Sequence, residues 1–128
     1  MPRSIILTNN KSIALRPTDV LISSPNMLAV LETARDYVHL GHHLLTHPLA
    51  GSVKPNENPF RSLVLTYDRL GVDPQSVQLI EGCLGLARRM LGERPLSFYP
   101  PSVLADLELI DRSLLETGVE SLRLAGHF

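Results

Sequence analysis

Four short runs of consecutive apolar or β-branched residues constrain what this chain can fold into: Ser4-Ile5-Ile6-Leu7-Thr8, Asp19-Val20-Leu21-Ile22-Ser23, Leu44-Leu45-Thr46 and Ser62-Leu63-Val64-Leu65-Thr66-Tyr67. The first two are apolar on consecutive residues, not alternately. A strand that is apolar on successive residues buries both faces, so it belongs in a sheet covered by helices on two sides. Helical patterns fill the intervals. Ser24-Pro25 places a capping hydroxyl and a proline at a helix start. Met27, Val30, Leu31, Ala34, Tyr37 and Val38 then recur at spacings of three and four. Gly41 is expected to stop this helix as a left-handed residue, with His39 in its last turn.

Asp73-Pro74 repeats the cap-then-proline signal and opens a second helix to about Leu91. Val77, Ile80, Leu84, Ala87 and Leu91 share its buried face; Gly82 and Gly85 are expected to permit close packing, and Gly92 to end it. A third helix opens at Pro101-Ser102, with Val103, Leu104, Leu107, Ile110, Leu114 and Leu115 as its stripe and Gly118 as its end. One more turn is expected over 119–124, and a frayed tail over 125–128. The order strand, strand, helix, strand, strand, helix, helix predicts one α/β domain over residues 1–128. Its sheet is expected to be four-stranded and mostly parallel, flanked by helices. If the runs at 4–8 and 44–46 lie side by side and parallel, Asn9-Asn10 and His47-Pro48 emerge on one edge. Open α/β sheets bind ligands at that edge.

Composition narrows the function classes. Formal net charge is −1, from 12 Lys+Arg against 13 Asp+Glu. That balance argues against bulk binding to nucleic acid or to an anionic membrane, both of which need a basic surface. The one cysteine, Cys83, excludes an intrachain disulfide and is expected to be a buried structural residue. No signal-peptide pattern opens the chain and no run approaches the ~20 apolar residues of a membrane span, so a cytoplasmic protein is expected.

Most of the polar chemistry falls in the stretch from His47 to Arg61, which is long for a connection in a small domain. Lys54 and Arg61 are cationic, and His47 can be. Ser52, Asn56 and Asn9 offer neutral hydrogen bonds, and Gly51-Ser52 lets backbone N–H groups approach an anion. The bland alternative is a solvated loop whose polar groups satisfy its own backbone. The stretch lacks the G-x-x-x-x-G-K-[ST] spacing of a phosphate-binding loop, and Gly51-Ser52-Val53 is not a nucleophile elbow. Acid–base catalysis needs His47 and Glu57 to pair, with Lys54 close by. Metal binding is the weaker reading of His39, His42, His43 and His47. On a strand, His43 and His47 lie roughly 13 Å apart, and no paired cysteines or H-E-x-x-H motif supports them. No cofactor and no metal are expected.

Several segments together resemble the GrdX family. They are Thr8-Asn9-Asn10; Arg35-Asp36-Tyr37-Val38-His39 with Gly41-His42; Leu44-Leu45-Thr46-His47-Pro48-Leu49; Gly51-Ser52-Val53-Lys54-Pro55-Asn56-Glu57; and Pro59-Phe60-Arg61-Ser62. Members are small proteins of roughly this length whose genes accompany glycine reductase and related selenoprotein reductases. The resemblance is densest from Arg35 to Ser62 and implies an accessory or regulatory role in a glycine/betaine-type reductase system. It supplies no catalytic residues to carry over. The candidate binding positions are therefore Asn9, Asn10, His47, Gly51, Ser52, Lys54, Asn56, Glu57 and Arg61. Their expected partner is a small anionic or zwitterionic ligand or a reductase subunit. The alternatives are an acid–base enzyme, a hydrolase or phosphotransfer helper using His47, Glu57 and Lys54, and a homodimer built through the loop.

Overall fold

A computed structural model describes residues 3–49 and 54–128. Strand β1 (Ser4–Thr8) is central. It pairs in parallel with the short β2 (Val20–Leu21), through Leu7↔Val20 and Thr8↔Leu21. On its other side it pairs antiparallel with β3 (Ser62–Thr66), from Ser4↔Thr66 to Thr8↔Ser62. Helices α1 (Leu28–His39) and α2 (Pro74–Glu93) cover one face of this β2-β1-β3 sheet. Helix α3 (Pro101–Leu124) lies on the other face.

The expectation of four mostly parallel strands is overturned: the described residues form three strands, with one parallel and one antiparallel pair. The run 44–46 does lie along the outer edge of β3, but only Leu44↔Leu65 forms a bridge there. Its backbone groups do not continue a regular ladder. Leu45 N–H and Thr46 N–H both donate to Val64 C=O, at 2.9 and 3.3 Å, which sets two residues against one. Val64 N–H donates to Thr46 Oγ1, His43 N–H to Thr66 Oγ1 and Leu44 N–H to Ser76 Oγ. Hydroxyls thus take bonds that a ladder would need. Among the described residues of the connection from 46 to 62 there is no crossover helix, which a parallel return would usually use.

One expectation survives in altered form. Segment 44–46 runs antiparallel to β3, and β3 runs antiparallel to β1, so 44–46 and β1 point the same way. The ends Thr8-Asn9 and Thr46-His47 therefore emerge on one edge. They are not neighbours, because the start of β3 lies between them.

Of the two runs expected to bury both faces, β1 does so, whereas the run at β2 does not: Leu21 is 51% exposed at the sheet edge. Ile5, Leu7, Leu63 and Leu65 pack with Met27, Val30, Leu31, Ala34 and Val38 of the α1 region and with Ile80, Leu84 and Ala87 of α2. Ile6 and Val64 pack with Leu115 of α3. Each fully buried aliphatic side chain contributes about 1.5–3 kcal/mol relative to exposure.

Helix ends correct several sequence signals. Helix α1 starts later than Ser24-Pro25 implies. Leu28 N–H donates to Asn26 Oδ1, while Ser24 Oγ donates to Asn26 C=O, so Ser24 shapes the entry turn instead of capping. Gly41 stops the helix as expected, at φ +109°; a Cβ there would meet Gly71 N at 3.3 Å. Asp73 caps α2 by accepting from Ser76 N–H. Gly82 and Gly85 face open space, not a packing partner, and α2 runs past Gly92. Helix α3 runs unbroken through Gly118, which instead lies against Thr46: a Cβ added at Gly118 would stand 3.6 Å from Thr46 Cγ2. The tail is packed: Phe128 joins the α3-side core and lies under the Arg16 guanidinium at 4.4 Å.

The connection from β1 to β2 is tied by a buried carboxylate. Asp19 accepts from Ile6 N–H, Arg16 N–H and the Arg16 guanidinium, at 2.8 to 3.0 Å. Burial pushes its pKa up, but the Arg16 and Ile6 hydrogen bonds and the Arg16 charge outweigh this and hold the carboxyl below its ordinary value. A depressed folded-state pKa adds stability that is complete above the unfolded value of ~3.9 and is lost as pH falls through the folded value. Asp19→Asn is therefore expected to cost about 2 kcal/mol at neutral pH and to flatten the acid limb of the stability curve. Urea titrations from pH 7 to pH 2 measure both; a wild-type acid limb retained in the variant contradicts this assignment.

Candidate functional site

The shared edge collects polar side chains that are withdrawn from solvent. Thr8 and Ser62 are opposite each other on β1 and β3, and alternation points both toward α3. Their hydroxyls bond at 2.7 Å, and Ser62 Oγ also donates to Asp111 Oδ2 at 2.7 Å. Asn10 Nδ2 donates to the same Asp111 oxygen at 3.0 Å and to Glu108 C=O at 2.9 Å. Asn10 Oδ1 accepts from Ser12 N–H and Ser12 Oγ. The result is one network from the first strand to the last helix.

Asn9 performs a parallel task on the loop. Arg61 N–H donates to its Oδ1 at 2.9 Å, and its Nδ2 donates to Pro59 C=O at 2.8 Å and to Ser24 C=O at 3.3 Å. One amide thus fixes the 59–61 backbone to β1 and to the entry of α1. Asn58 supports the same segment: Phe60 N–H donates to its Oδ1, and its Nδ2 donates to Leu107 C=O. Held this way, Arg61 is 4% exposed. Burial pulls its pKa below the ordinary arginine value, and the charge of Asp111 opposes that pull, as more weakly does Cys83. Arginine remains charged in such settings, so a cation is held near-dry at the sheet edge.

A small cavity opens here, about 70 Å³ in volume, lined by Thr46, His47, Arg61, Ser62, Asp111, Leu114, Leu115 and Gly118. Two of the chain segments around it, 46–47 and 61–62, come from the shared edge, and α3 closes the other side. The lining residues include an arginine, an aspartate, a serine and a threonine, side chains of the polar kinds found in ligand pockets.

The nine candidate positions do not all converge. Arg61 and His47 line the cavity; Asn9 and Asn10 support it, with their amides committed to protein partners. Asn56 turns toward the end of α2, where its Nδ2 donates to Met90 C=O and its Oδ1 accepts from Arg94. Lys54 and Glu57 are exposed, and Glu57 contributes its carbonyl to the Tyr99 hydroxyl. Gly51 and Ser52 fall outside the described residues. Among the described residues no hydrogen bond or ion pair joins His47 to Glu57 or Lys54; His47 Nδ1 accepts from Leu49 N–H. The other histidines are dispersed. His39 meets Glu81 at 3.3 Å, His42 Nδ1 lies 2.7 Å from Thr66 C=O, and His43 Nε2 lies 2.8 Å from Gly71 C=O. Among the described residues no group of three or more His, Cys, Asp or Glu could hold a metal ion.

Asp111, Ser62 and Thr46 are not among the candidate positions read from the sequence. Asp111 carries a readable signal: it lies four residues before Leu115 and seven after Leu104, so an acid interrupts an apolar helical stripe. The structure turns α3 so that Asp111 and Leu115 face the sheet, leaving Ile110 and Leu114 partly exposed at 41% and 39%. No helix among the described residues is long and apolar enough to cross a membrane. No curated protein and no solved structure matches the chain. The family model for GrdX-like proteins matches residues 5–120, a span from β1 through most of α3 that includes every side chain of the cavity, and the chain therefore belongs to the GrdX family.

Proposed function

We propose that this protein is a non-catalytic accessory of a glycine/betaine-type reductase system that acts by binding a small anionic or zwitterionic ligand at the sheet edge. The observation that carries the reading is that buried Arg61 lines a small cavity together with Thr46, Ser62 and Asp111. Holding a cation out of water is costly, and proteins accept that cost where the charge has work to do. The single cysteine supports an accessory over a redox role, because dithiol chemistry needs two thiols and this chain has Cys83 alone. Cys83 is also buried in α2, and burial raises its pKa, which suppresses the reactive thiolate.

A ligand bound only by the folded protein stabilises it by mass action, about 2.7 kcal/mol at one hundred times Kd. Thermal melts with glycine, betaine, acetate and acetyl phosphate are expected to show a concentration-dependent rise in Tm for at least one of them. The rise should be lost in Arg61→Met. Flat melts across all four compounds contradict the small-ligand reading.

A further inference from the structure

Helix α3 turns Asp111 and Leu115 to the sheet, and its opposite side carries an apolar stripe that the described residues leave open to solvent. Ile110, Leu114, Thr117, Ser121 and Leu124 follow one another at spacings of four and three. That rhythm keeps them in one line over about 21 Å of helix. Leu124 is 84% exposed, and Leu109, beside the line, is 49% exposed. A solvated helix face is ordinarily polar or charged, and aligned exposed aliphatic side chains mark a surface that another element covers. A groove runs along this face where Ser113, Thr117 and Ser121 keep the surface low, and Glu116 and Glu120 border it.

The charged flank decides what can cover the stripe. Asp106, Glu116 and Glu120 are exposed, and α3 contains no lysine. Its two arginines, Arg112 and Arg123, line the crevice between α3 and the 13–16 loop, with the Arg123 guanidinium 5.3 Å from the Phe128 ring. Glu116 and Glu120 form the ridge between that crevice and the groove. Arg112 meets Glu116 at 3.9 Å, and among the described residues no ion pair engages Asp106 or Glu120. A second copy of α3 is a poor match. A two-fold axis that pairs antiparallel helices keeps like flanks on one side, so the glutamates of one copy would face those of the other. A helix with lysine or arginine along one flank of an apolar heptad stripe matches both features. We propose that the outward face of α3 docks a basic amphipathic helix of another protein. Ile110, Leu114 and Leu124 meet its apolar side chains, and Glu116 and Glu120 meet its cations. Docking there needs no ligand in the edge cavity.

A synthetic amphipathic peptide of about three heptads, with leucine at the core positions and lysine beside them, tests this. It is titrated with the full chain at about 0.15 M salt and followed by fluorescence anisotropy. Binding is expected to weaken at least tenfold when glutamate replaces the lysines, and at least tenfold when serine replaces the leucines. Glu116→Lys with Glu120→Lys should weaken it tenfold or more, and Ile110→Ser at least fivefold. The same charge change at Asp36 and Glu93, on the helices that cover the opposite sheet face, should leave it within twofold. Thermal melts of each variant separate lost contact from lost fold, and the exposed glutamate pair keeps the test open if Ile110→Ser lowers stability. No binding of the lysine peptide, or an equal loss in Asp36→Lys with Glu93→Lys, overturns the proposal. So does a dimer in sedimentation velocity that Ile110→Ser dissociates, which would assign the face to a second copy.

Discussion

Asp111→Ala is expected to destabilise the protein by roughly 3–4 kcal/mol, lowering its Tm by on the order of 10 °C. The reason is local. Ser62 Oγ and Asn10 Nδ2 both point at Asp111 Oδ2; Asn10 and Asp111 are buried and Ser62 is half-buried. Truncation strands two donors and removes the negative charge that offsets the buried Arg61. Asp111→Asn retains an acceptor and should cost far less, so the two variants separate lost hydrogen bonding from lost charge. Chemical denaturation of both proteins gives the comparison. Equal losses in the two variants would mean that the carboxylate charge, not the acceptor, holds the network.

Asn9→Ala is the second large effect, about 3 kcal/mol. Its amide makes three bonds, to Pro59 C=O, to Ser24 C=O and from Arg61 N–H. Alanine leaves a buried N–H and two carbonyls without partners. The loss should be uneven. The 54–61 segment and the entry to α1 should loosen, while the α1–α2 core stays closed, because none of the broken bonds lies there. Hydrogen exchange should report early deprotection of the Arg61 amide, with Leu31 and Leu84 protected nearly as in wild type. Uniform deprotection across the chain would contradict this picture of Asn9 as a loop tie.

The sequence patterns that read correctly are those set by local physics. Asp73-Pro74 and Gly41 depend on a few adjacent residues, and the caps form as read. The run at β1 is apolar on successive residues because helices cover both faces, and they do; the run at β2 carries the same pattern but lies at the sheet edge with Leu21 51% exposed. The expected sheet breaks down at Leu44-Leu45-Thr46, where hydrophobicity says strand but three hydroxyls, on Thr46, Thr66 and Ser76, take the N–H groups of Val64, His43 and Leu44. Thr66 and Ser76 lie 23 and 32 residues from their donors in sequence, so no window around residue 45 reveals them. Gly118 misleads for a related reason. A glycine late in a helical pattern is read as an end, yet here α3 continues through it with Thr46 in ordinary van der Waals reach. At the site, Asn9, His47 and Arg61 are legible as members of a dense polar stretch and a strand end. Asp111 is not, because its role exists only after α3 folds back over β1 and β3 to meet residues some fifty and one hundred positions earlier.

The proposed ligand-binding point lies between the start of β3 and the middle of α3, and an amide-resolved ¹H–¹⁵N titration of the wild-type protein with each of glycine, betaine, acetate and acetyl phosphate tests that placement most directly. Saturable shifts are expected at the amides of Thr46, Ser62, Asp111 and Gly118, with Asn9 and Asn10 moving less because their side chains stay bound to protein. Shifts confined to a different surface, such as the groove that Leu49, Leu79, Cys83 and Leu86 line beside α2, would contradict it.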